Sequence, residues 1–141
     1  MSQSEKLAVI EQILTQAAEE LGDITGPVMS RYYQQYPQAG ELFKKHGGHG
    51  VGNLEGEMVS QALYCLMWWF ESQGEIEFLI EKSVPHHSDE LNVSKELYLG
   101  LLQSTTEIIE KTIPPQNNEE ITVWRELCNS LAEVIHSGSG A

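Results

Sequence analysis

Val84-Pro85-His86-His87-Ser88-Asp89-Glu90 is where a long run of helical pattern stops, and a second amphipathic segment restarts at Val93. Proline lacks a backbone donor and crowds the preceding turn, so the helix before it is expected to end or kink at Pro85. Working outward, Leu54 to Ser72 reads as a long helix with Met58, Ala62, Leu66 and Trp69 on one face. Gly74 is expected to separate it from a shorter helix carrying Ile76, Leu79, Ile80 and Val84. Downstream, Val93 to Thr112 carries Leu97, Leu101, Leu102, Ile108 and Ile109 at helical spacing. Pro114-Pro115-Gln116-Asn117-Asn118 is a loop. A last helix from Glu119 to His136 repeats Ile121, Trp124, Leu127, Cys128, Leu131, Val134 and Ile135.

The first half is helical as well. Leu7, Ile10, Ile13, Leu14, Ala17 and Leu21 form one stripe of a helix from about Ser4 to Leu21, closed by Gly22-Asp23. Gly26-Pro27 starts a second helix, proline being suited to a first turn. Val28, Met29, Tyr32, Tyr33 and Tyr36 make its apolar side, and Pro37 stops it. A short third helix spans roughly Gln38 to Lys45. His46-Gly47-Gly48-His49-Gly50-Val51-Gly52-Asn53 holds four glycines in eight residues and is expected to be a loop. No strand-period alternation and no internal repeat occurs. The class is all-α, with one domain over 1–136 and a small, flexible tail over 137–141.

Composition sets the outer bounds. The chain has 141 residues, enough for a core without disulfides or metal staples. Its 21 acidic residues against 8 basic ones give a formal charge of −13. Such charge repels phosphate backbones and anionic lipid, which argues against nucleic-acid and membrane partners. The longest apolar run, Ala62 to Phe70, is too short to cross a bilayer. Met1-Ser2-Gln3-Ser4-Glu5-Lys6 leads into an amphipathic helix and not into a signal-peptide core. Cys65 and Cys128 lack metal-ligand spacing and read as buried hydrophobes in a reducing compartment, so a cytoplasmic location is expected.

Tyr36-Pro37-Gln38-Ala39-Gly40-Glu41-Leu42-Phe43 sets a phenylalanine six residues after a proline, and His86-His87 precedes the last two long helices. With Trp124 early in the last helix, this order resembles the globin family, in particular bacterial single-domain globins, over Leu7 to Ile135. The resemblance implies a globin-like fold of about six to eight helices around haem b, iron protoporphyrin IX. It implies His87 as proximal ligand of the haem iron, with His86 as the alternative, and Val93 packed under the porphyrin. It implies that Phe43 stacks on the ring, that Tyr33 is the aromatic of the second helix, and that Met29 takes that helix's distal-pocket position. Counting back from His87 puts Met58 at the distal position with Ala62 one turn deeper; a register shifted by one turn puts Gln61 there, with Cys65 deeper. The chain departs from the family here, because neither Met58 nor Met29 offers oxygen a hydrogen-bond donor.

Read without the family, the same residues have plainer roles. His87 follows Ile80 by seven residues and Val84 by three, which keeps an apolar wall beside its ring; His86 would bring Lys82 toward the pocket. Both histidines also suit an exposed helix C-terminus. Phe43 and Tyr33 serve equally as core residues. His46 and His49 read as loop residues, an approach to iron or a zinc site with His86-His87 being the sharper alternatives. Tyr64 and Trp68 are left over on an otherwise apolar helix and suggest a homodimer contact. No hydrolytic constellation, P-loop or dinucleotide fingerprint occurs. The expected function is binding of a diatomic gas (oxygen, nitric oxide or carbon monoxide) at iron, for gas binding, sensing or detoxification. Peroxidase or nitric oxide dioxygenase activity would be secondary, the latter needing a separate reductase. The alternative is a haem-free globin-fold module that regulates through its surface.

Overall fold

In a computed structural model the backbone is described for residues 1–47, 51–90 and 95–138, and the side chains for 1–44, 53–81 and 96–136. These residues form seven helices and no strand: α1 (Gln3–Leu21), α2 (Thr25–Gln35), α3 (Pro37–Gly47), α4 (Val51–Trp68), α5 (Gln73–Glu90), α6 (Lys95–Glu110) and α7 (Asn118–Gly138). The all-α class and the helix number match the expectation.

Local chemistry fixes the helix ends. Ser2 caps α1 by accepting from the Glu5 amide at 3.1 Å. Gly22 closes α1 at φ 68°, a conformation that costs an L-residue with a side chain, and its N–H bonds the Ala18 carbonyl. Asp23 accepts from the Thr25 amide at 3.0 Å and so turns the chain into α2. At the start of α7, Asn117 donates to the Glu120 carboxylate at 2.8 Å, a side-chain pairing across the first turn.

Three boundaries differ from the sequence reading. α5 runs through Pro85 and His86-His87 to Glu90. Proline forfeits one backbone hydrogen bond, which weakens a helix without having to end it. The glycine-rich stretch is partly helical, because Gly47 closes α3 and Gly52 lies in the first turn of α4, where a glycine costs little. Within this stretch the backbone of 48–50 and the side chains of 46–52 lie outside the described residues. Gly74 belongs to the first turn of α5; the chain breaks earlier, over 69–72, where Trp69 and Phe70 turn into the core. The Glu71 and Ser72 amides both bond the Trp68 carbonyl at that turn.

α2 lies across α6, and α7 packs on α1, α5 and α6. Trp124, Leu127, Leu131 and Ile135 are fully buried along one stripe of α7, against Ile10 and Ile13 of α1 and Ile76 and Ile80 of α5 in the same core. At the α2–α6 crossing, buried Gly100 leaves room for the Tyr36 ring; a Cβ there would sit 2.5 Å from a ring carbon. One turn earlier on α6, the Leu97 carbonyl accepts from the buried Tyr32 hydroxyl at 2.8 Å. Arg31 extends the contact through its ion pair with Glu107.

A paired substitution tests this crossing. Gly100→Ala should destabilise the fold by about 1–3 kcal/mol through overpacking. Gly40→Ala, whose Cβ meets only ordinary contacts with Tyr33 at 3.7 Å, should be neutral or gain up to about 1 kcal/mol from helix propensity. Urea denaturation of both variants reads the difference, and equal midpoints would mean that Tyr36 moves aside at no cost.

Candidate functional site

α4 presents Met58, Ala62 and Cys65 to the interior at the i, i+4, i+7 spacing of a single helix face. They form one wall of a small cavity. Ile80 of α5, Tyr98, Leu101 and Leu102 of α6, and Leu131 and Ile135 of α7 complete it. The cavity volume is about 20 Å³, room for about one water. Apart from the Tyr98 hydroxyl and the Cys65 thiol, the side chains around it are apolar. Burial pushes the Cys65 thiol up to about 11, so it stays protonated at neutral pH.

A second cluster sits where α2 and α3 meet α4. Phe43 is 4% exposed and stands edge-on to Tyr32 at 6.1 Å and to Tyr33 at 5.9 Å between ring centroids. Buried Met29 lies on the same side of α2, one turn before Tyr33. The Tyr33 hydroxyl donates to Glu55 of α4 at 2.6 Å. Burial, then the hydrogen bond and charge of Glu55, hold the Tyr33 phenol well above its ordinary range. Burial does the same at Tyr32.

The residues singled out in the sequence therefore fall into two groups. Met58 and Ala62 line the cavity together with Cys65, while Phe43, Tyr33 and Met29 build the aromatic cluster beside it. Gln61 is not part of the described lining. The side chains of His46, His86 and His87, and the whole of His49 and Val93, lie outside the described residues. Among the described residues no group of three or more His, Cys, Asp or Glu side chains is placed to hold a metal ion, and no helix is long and apolar enough to cross a membrane. Tyr98 and Glu55 were missed. Tyr98 stands four residues before Leu102 and Glu55 three before Met58, so helical spacing alone was the available signal.

The lining suits the apolar edge of a porphyrin in chemistry. The cavity's volume of about 20 Å³ is far below the roughly 300–1,000 Å³ of pockets for ligands of that size. No protein-family model, no curated protein and no solved structure matches the chain.

The two cysteines give a pH test of this packing. Burial raises Cys128 as well, to about 12, against an ordinary thiol value of 9.0. A thiol held protonated in the fold and ionised in the unfolded chain contributes stability that is complete below pH 9.0 and is lost as pH rises toward the folded value. Unfolding free energy should therefore fall above pH 9.0, by at most about 1.4 kcal/mol per pH unit for each thiol. Urea titrations at several alkaline pH values should show a shallower fall in Cys65→Ala than in the parent. An identical slope would place that ionisation elsewhere.

Proposed function

We propose that this chain is a globin-like protein that binds haem b and takes a diatomic gas (oxygen, nitric oxide or carbon monoxide) at its iron, in the cytoplasm, for gas binding, sensing or detoxification. The observation that supports the reading is the apolar cavity between α4 and α5, closed by α6 and α7. Its α4 wall is Met58 and Ala62, the pair that the resemblance assigns to the distal side. On the facing side, α5 continues unbroken from Ile80 to position 87, seven residues or about two turns farther. On this reading His87 holds the iron, with His86 as the alternative, and the bound iron supplies the site for the gas. Met58 and Ala62 offer that gas no hydrogen bond, which forfeits on the order of 0.5–1.5 kcal/mol for a polarised ligand.

A second reading is favoured by the small volume of the cavity. A haem-free module would keep α4 and α5 closed and act through its surface. Haem titration of the purified protein, followed by absorption, separates the two. Stoichiometric binding that is lost in His87→Ala and kept in His86→Ala is the expected outcome. Loss in His86→Ala alone would shift the ligand by one residue, and a parent that takes up no haem would leave the haem-free module standing.

Phe43 gives an independent check. As a buried member of the aromatic cluster, its truncation to alanine should cost roughly 3–5 kcal/mol of apoprotein stability. If Phe43 also touches the porphyrin, the variant should release haem faster at temperatures where it remains folded. Unchanged release in the folded variant would confine Phe43 to the core.

A further inference from the structure

A larger depression lies on the opposite side of α4 from the cavity. It is a groove of about 470 Å³ walled by Leu14 of α1, Ile24 of the α1–α2 corner, and Val59, Leu63, Tyr64 and Met67 of α4. Val59, Leu63 and Met67 follow one another at successive turns, on the face away from Met58, Ala62 and Cys65. Tyr64 is 46% exposed at the groove, whereas Trp68, its neighbour in the sequence reading, is half-buried against the core. An open groove of this volume takes several aliphatic side chains.

Charge decides what fits. No lysine or arginine occurs from position 7 to 30 or from 46 to 81, the segments that supply α1 beyond its first turn, the corner and all of α4. Lys6, at the start of α1, is engaged by Glu126 at 2.6 Å and by the Phe70 ring. Asp23 lies in the groove itself, its carboxyl held below its ordinary range by the Thr25 amide. Exposed Glu57 stands seven residues before Tyr64 on α4, and so extends its stripe toward the start of the helix. An anionic amphiphile such as a fatty acid meets no lysine or arginine among the residues that line the groove. A second copy of this chain would bring the same carboxylates, and a formal charge of −13, against each other.

We propose that the groove between α1 and α4 docks a basic amphipathic helix of a partner protein, its apolar face over Tyr64 and its lysines or arginines against Asp23 and Glu57. The mode is a helix laid in a hydrophobic groove, with the acidic rim setting orientation and on-rate. It uses the far side of α4 and does not depend on haem.

The test is a titration of the full chain with a synthetic helical peptide of leucines and lysines at helical spacing, mapped by amide chemical shifts. Saturable binding with shifts confined to α1, the corner and α4 is expected. Ser60→Arg, at an exposed position in the groove, and Tyr64→Ala should each weaken it on the order of tenfold or more, with thermal melts confirming that both variants fold. Shifts scattered over the acidic surface, or unchanged affinity in Ser60→Arg, would overturn the proposal, as would absence of saturable binding. Equal affinity for a peptide with glutamates in place of its lysines would also overturn it, because charge would then play no part. Concentration-dependent dimerisation in sedimentation that perturbs the same α4 amides would assign the groove to a second copy instead.

Discussion

The close approach of α2 and α6 at Gly100 is the constraint from which the candidate site follows. The Tyr36 ring occupies the space a side chain would need, and the Tyr32 hydroxyl is tied to the Leu97 carbonyl one turn away. A buried hydroxyl is costly to leave unpaired, so this bond favours one rotation of α2 about its axis as well as its distance from α6. With α2 set, Tyr32 and Tyr33 present their rings to Phe43 and position α3. Tyr33 then reaches Glu55 and fixes the first half of α4. Each step is a specific contact.

α4 consequently serves two environments. Met58, Ala62 and Cys65 look into an apolar cavity shared with α5, α6 and α7, while Val59, Leu63 and Met67 look toward α1 and an open groove. A helix that is apolar around most of its circumference needs cover on more than one side. Here Met58 and Cys65 are buried on the cavity side, while on the α1 side Tyr64 remains exposed.

Much of this was legible in the chain. The stripes of α1, α6 and α7, the Pro37 boundary and the buried roles of Met29, Phe43, Met58 and Trp124 follow from helical spacing and from proline's missing donor. The boundaries that misled were those read from one residue type. Pro85 was expected to end or kink a helix that continues to Glu90, and Gly74 to break a chain that breaks earlier, over 69–72. Local propensity is worth about 1 kcal/mol for a glycine and about 3 for a proline. The burial of Trp69 and Phe70, or of Ile76 and Ile80, outweighs the first and offsets the second.

By itself the sequence determined an all-helical chain, the face of each helix that is buried, and an acidic surface without a cation over long stretches, because period and charge are properties of the linear order. Only the tertiary structure decided that Met58 and Ala62, and not Gln61, line the interior cavity, that this cavity is small, and that a larger groove opens behind it. A sequence period gives the apolar face but not its partner. The partner depends on crossing angles and distances set by single contacts far apart in the chain, such as Tyr36 against Gly100 and Tyr32 to Leu97.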